Sequence, residues 1–172
     1  MSFKKKIGKM DDKLRRKKLR LLIWGPGDPG NDGTPQAKKN YEKRCLIRTT
    51  LKEEFPRSDV VFSEDIITLK LIGTLKEEVV HAKAAHAVIV LDISRGSHLE
   101  IDHFVLRYEW FRKKVWLLVP QEFLTKGSLV EDAVYSLIPQ DHIQGYTLEE
   151  FDRCDVAKQM SVRIATTVAF DK

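Results

Sequence analysis

Two carboxylates stand close together in the stretch Asp92-Ile-Ser-Arg-Gly-Ser-His-Leu-Glu100. Asp92 closes a continuous apolar run, where a carboxylate is costly unless it faces a cleft or accepts hydrogen bonds. Glu100 falls in the first turn of a helix expected over Leu99–Lys114. A helix N-terminus favours the anionic form that a carboxylate nucleophile requires. Ser97 and the free amides after Gly96 suit a phosphate. Ser97-x-x-Glu100 is equally a capping box, a device that exists without any chemistry. The spacing alone supports both readings.

A second candidate is the loop GPGDPGNDGTP, Gly25–Pro35, with four glycines and three prolines. Gly25, Gly27 and Gly30 fit G-x-G-x-x-G after a strand, the dinucleotide fingerprint. Pro26 and Pro29 remove two backbone donors, however, and five further residues precede the next helix. An acidic residue about 20 positions on, at a second strand end, is also missing. Glycines still let a ligand approach the backbone, and Asp28, Asn31 and Asp32 can accept from ribose hydroxyls. The loop therefore reads as a ligand wall, a surface turn or a dinucleotide site. Trp24, at the end of the preceding strand, is expected to line the pocket and stack on a base.

The histidines imply no metal. His81 and His86, like His98 and His103, are five apart and share no helix face. Glu100 and His103 stand at i, i+3, but one such pair lacks the partners of a carboxylate metal site. Neither a metal nor any other cofactor is expected. The two cysteines, Cys45 and Cys154, fall inside expected helices, which suits a reduced compartment.

The elements that position these residues alternate. Leu19–Trp24 reads as a buried strand, and Gln36–Phe55 as a helix with Tyr41, Cys45, Leu46 and Leu51 on one side, stopped by Pro56. Asp59–Phe62 is a second strand, and Ile66 to about Ala85 a helix interrupted near Gly73. His86–Ile93 is apolar on both faces, as in a central parallel strand. The aromatic-rich helix Leu99–Lys114 leads to the strand Val115–Val119. A mixed segment, Gln121–Leu137, precedes a short strand at His142–Tyr146. A long helix over Thr147–Phe170 opens with the capping box Thr147-x-x-Glu150.

Strand and helix thus recur as βαβ units, predicting a doubly wound α/β fold with a five-stranded parallel sheet in the flavodoxin-like order 2-1-3-4-5. The switch point then lies between the first and third strands, where ligands bind beyond the carboxyl ends. That topology selects the glycine loop and Asp92–Glu100 before any motif does.

The chain of 172 residues suits one Rossmann-like domain, 19–172, behind an N-terminal arm, 1–18. Residues 1–20 hold ten Lys/Arg against Asp11 and Asp12, and the rest carries 20 basic against 23 acidic residues. The arm is expected to act as a tether to nucleic acid or an acidic partner, or as a solvated leader. No apolar run reaches the roughly 18 residues of a membrane span. The lysine-rich start lacks the features of a secretory signal, so a cytoplasmic location is expected.

The stretch Ala85–Pro120 (AHAVIVLDISRGSHLEIDHFVLRYEWFRKKVWLLVP) resembles the nucleoside 2-deoxyribosyltransferase-like superfamily, which includes nucleotide N-glycosidases. Gly96-Ser97-His98-Leu99-Glu100-Ile101 matches its G-x-x-x-E-[LI] helix start, and VWLLVP matches a following strand. The resemblance implies that Glu100 attacks the anomeric carbon and that Asp92 handles the proton. It also makes Gly25–Gly33 the ribose-binding loop. Asp102 and Phe104 stand where the family has glycine and alanine. The implied partner is a nucleoside, nucleotide or NAD-like molecule, and a homodimer is the expected assembly. A TIR-like signalling or nucleotide-sensing domain is the alternative; its Ser-to-Glu spacing of six, counted from Ser97, reaches His103.

Overall fold

The computed structural model describes residues 16–66, 74–91, 95–125, 133–153 and 155–170, together with Asp12; over 95–100 the description is of the backbone. The arm expected over 1–18 lies almost wholly outside the described residues. β1 (Arg20–Trp24), β2 (Asp59–Phe62), β3 (Ala87–Leu91), β4 (Val115–Pro120) and β5 (Ile143–Tyr146) form one parallel sheet in the order β2-β1-β3-β4-β5. Registers such as Ile23↔Phe62, Ile23↔Ile89 and Leu91↔Leu118 align the carboxyl ends of the inner strands.

Period-two alternation explains why both faces are covered. Leu21, Ile23, Ile89, Leu91, Trp116 and Leu118 face one layer. That layer contains Ile47, Leu51 and Phe55 around α1 (Pro35–Glu54), and Val156, Met160 and Ile164 of the C-terminal helix. Leu22, Trp24, Val88, Val90, Leu117 and Val119 face the other layer. There lie α2 (Thr74–Ala84), α3 (Arg95–Arg107) and α4 (Glu109–Arg112), contributing Ala82, Ile101, Phe104, Val105 and Phe111. The fold is therefore doubly wound. Among the described residues no helix is long and apolar enough to cross a membrane.

Several boundaries differ from the expected ones. The single helix expected over Leu99–Lys114 begins four residues earlier, at Arg95, and breaks at Tyr108, whose φ of −126° and ψ of 103° are extended. Arg112 stabilises the break by donating from Nε to the Val105 carbonyl at 2.7 Å. α5 (Gln121–Thr125) follows β4. The C-terminal helix expected over Thr147–Phe170 is present as α6 (Leu148–Arg153) and α7 (Asp155–Phe170), with Cys154 between them outside the described residues. Its capping box forms: Thr147 N–H donates to Glu150 Oε2 at 2.8 Å, and Glu150 N–H donates to Thr147 Oγ1 at 3.3 Å.

Candidate functional site

β1 delivers the chain to the switch point, and Gly25 is where it turns. Its φ is +151°, and a Cβ placed there would lie 3.1 Å from Leu91 Cβ and 3.3 Å from the Leu91 carbonyl oxygen. The glycine backbone therefore rests directly on the last residue of β3. Asp92, which follows Leu91, lies outside the described residues. Gly96, Ser97 and Glu100 are placed on α3 by the backbone, and their side chains lie outside the described residues.

The early start of α3 changes two readings. Ser97 is the third residue of the helix, so it is not the N-cap and the Ser97–Glu100 capping box does not apply. Gly96 and Ser97 lie at the N-terminal end of α3 as described, Arg95–Arg107. Glu100 sits in the second turn and not the first. The helix dipole acts mainly within the first turn, so it favours the Glu100 anion less than the spacing suggested.

Trp24 requires correction as a ligand wall. The residue is 2% exposed; its ring stacks on Phe111 at 5.4 Å and meets Phe104 edge-on at 4.8 Å. Alternation sends it into the α3 layer, away from the loop, and Phe104 supplies the bulk that holds it there. Among the described residues its buried indole N–H has no hydrogen-bond partner.

The loop is an ordered turn. Asp28 Oδ1 accepts from Gly30 N–H at 2.9 Å, and Lys38 Nζ donates to the Asn31 carbonyl at 2.7 Å. Thr34 caps α1 by accepting from Ala37 N–H at 3.2 Å, with Pro35 as the first helical residue. The start of α1 thus offers few free amides, and the dinucleotide reading loses its phosphate seat. Gly27 and Asp28 are exposed and line a cavity of about 440 Å³ with Tyr41, Arg44, Phe62 and Glu64, on the β2 side of the loop. Asp32 is exposed at the loop tip.

Arg44 is the residue that sequence reasoning missed. It is 1% exposed and binds Glu64 through both nitrogens, Nη1–Oε1 at 2.5 Å and Nη2–Oε2 at 2.8 Å. The same nitrogens donate to the carbonyls of Pro26 at 3.1 Å and Ile23 at 2.8 Å. Arg44 and Arg48 flank the Phe62 ring, 4.1 and 3.8 Å from its centroid. Burial pushes the Glu64 carboxyl up, but the Arg44 hydrogen bonds and charge prevail and hold it below the usual glutamate value. The signal was helical register: Arg44 shares a face with Ile47 and Leu51, whereas Leu46, expected there, is 41% exposed.

A further cavity of about 470 Å³ lies at the carboxyl ends of β4 and β5, beside the first turns of α1. Among the described residues no group of His, Cys, Asp and Glu side chains is arranged to hold a metal. His103 packs edge-on to Phe104 and Tyr108. No protein-family model and no curated protein matches this sequence.

Proposed function

We propose that the switch-point cleft cleaves or transfers an N-glycosidic bond of a nucleoside, nucleotide or NAD-like substrate. The observation that supports this reading is the contact of Gly25 with Leu91: it joins the glycine loop to the strand end that precedes Asp92. In the proposed reaction a Glu100 carboxylate oxygen attacks the anomeric carbon as the carbon–nitrogen bond breaks, giving a glycosyl ester. Asp92 protonates the departing base where it leaves as an anion. Water, or an acceptor base in transfer, then displaces Glu100, with its proton passing to Asp92. The first-turn amides at Gly96 and Ser97 hold a phosphate, and the loop from Gly25, with Gly27, Asp28, Gly30 and Asp32, walls the ribose.

The test is release of free base or nicotinamide by the purified protein, compared with Glu100→Gln. Equal turnover by both removes Glu100 from the chemistry.

The second reading is a nucleotide-sensing domain that binds without cleaving, in the manner of TIR-like signalling modules. The position of Glu100 in the second turn favours it, because the helix N-terminus then does little to hold the nucleophile ionised. Calorimetric binding of a nucleotide with no product on chromatography supports this second reading over the first.

A further inference from the structure

The cavity over β4 and β5 is chemically unlike the charged one beside Arg44. Its walls include Pro120, Phe123 and Leu148, together with Tyr146 and Phe151, whose rings stack at 5.2 Å and 18°. No lysine or arginine lines it, and Glu122 is its one carboxylate among the described residues. An anion is therefore unwelcome, and a flat uncharged ring suits the apolar walls.

Two amides on α1, Gln36 and Asn40, contribute hydrogen-bonding groups to its wall, beside Gln121 and Thr147. Gln36 Nε2 donates to Asn40 Oδ1 at 2.8 Å. That bond fixes both groups: Gln36 Oε1 remains as an acceptor and Asn40 Nδ2 as a donor. One acceptor beside one donor is the pattern by which amide side chains read the N6 and N7 edge of adenine. The volume of about 470 Å³ is in the range of small-molecule pockets.

We propose that this cavity is a second binding pocket, separate from the switch-point cleft, for an uncharged adenine-type heterocycle. Gln36 accepts from its exocyclic amine, Asn40 donates to its ring nitrogen, and the ring lies against Phe123 and Leu148.

Calorimetric titration of the full chain with adenosine, inosine and AMP tests it, using Glu100→Gln so that no turnover intrudes. Adenosine is expected to bind, inosine about fivefold or more weakly because its oxygen cannot donate to Gln36, and AMP no more tightly than adenosine. Asn40→Leu is expected to weaken adenosine by about fivefold or more. Leu148→Asp should weaken it as well; an acidic residue at the first position of α6 suits that helix, so the variant keeps its fold. No binding at millimolar adenosine, or binding unchanged in either variant, overturns the proposal. A preference for AMP that neither variant alters assigns the ligand to the switch-point cleft and overturns it too. Cleavage activity by the wild-type chain is a separate readout, so failure of either reading leaves the other standing.

Discussion

Arg44 and Glu64 form a two-pronged ion pair across the carboxyl ends of β1 and β2, with the guanidinium 1% exposed and the carboxylate 47% exposed. Because the same guanidinium also holds the Ile23 and Pro26 carbonyls, one side chain ties α1, β2 and the start of the glycine loop together.

Removing the carboxylate leaves a buried cation short of its partner. Glu64→Ala is expected to lower stability by about 2 kcal/mol, less than for a fully buried pair because water reaches Glu64. Urea denaturation measures the loss, and limited proteolysis should cut the loop at 27–32 faster in the variant. Wild-type stability and cleavage in Glu64→Ala would show that the pair does not anchor the loop.

The pair also has a pH signature. The folded Glu64 carboxyl titrates below its unfolded value, so its stabilisation is present above the unfolded pKa and lost as pH falls through the folded one. The stability gap between wild type and Glu64→Gln should be complete above about pH 5 and close progressively below about pH 4. Denaturation midpoints at pH 7, 5 and 3 give the curve; a gap constant across that range contradicts the assignment.

Gly25 and Gly27 make a contrasting pair. Alanine at 25 meets Leu91 and must adopt a φ of +151°, whereas a Cβ at 27 has nothing within 4 Å. Gly25→Ala is expected to cost about 1–3 kcal/mol, and Gly27→Ala about 0.5 kcal/mol or less. Equal costs in thermal unfolding would remove the Leu91 contact as the reason for glycine at 25.

Asp28 has a structural task that its charge does not require. Asparagine forms the same two-residue turn, so Asp28→Asn should keep the bond to the Gly30 amide and leave stability within about 0.5 kcal/mol of wild type. Asp28→Ala should open the loop, seen as faster amide exchange at Gly30. If Asp28→Asn opens it equally, the carboxylate acts on something other than this turn.

Patterns of apolar residues carried the fold well. The all-apolar run around Val88–Val90 identified the centre of the sheet, and strand order followed from chirality and crossover rules. Ends were harder to read. No glycine or proline marks Tyr108 as a break; the Val105 carbonyl released there is satisfied by the side chain of Arg112, seven residues further on. Trp24 was misjudged because position at a strand end suggests exposure, while its side depends on alternation and on Phe104 and Phe111. Helical register puts Arg44 on the apolar stripe with Ile47 and Leu51, but its partner Glu64, 20 residues on, is legible only in the fold. The sequence marks Gly25 only as part of G-x-G-x-x-G, a place where a ligand can approach the backbone; its closeness to Leu91 is a product of sheet pairing.

The Thr34 cap and the Arg44 clamp pin the two ends of the glycine loop independently of what lies between them. Positions 27–32 are therefore a natural graft point, able to receive a longer or foreign segment without transmitting strain to the sheet. Closure of a flexible insert rises only logarithmically with its length, about 0.6 kcal/mol per doubling. The same sheet and helices thus form a frame on which recognition can be exchanged while the core stays unchanged.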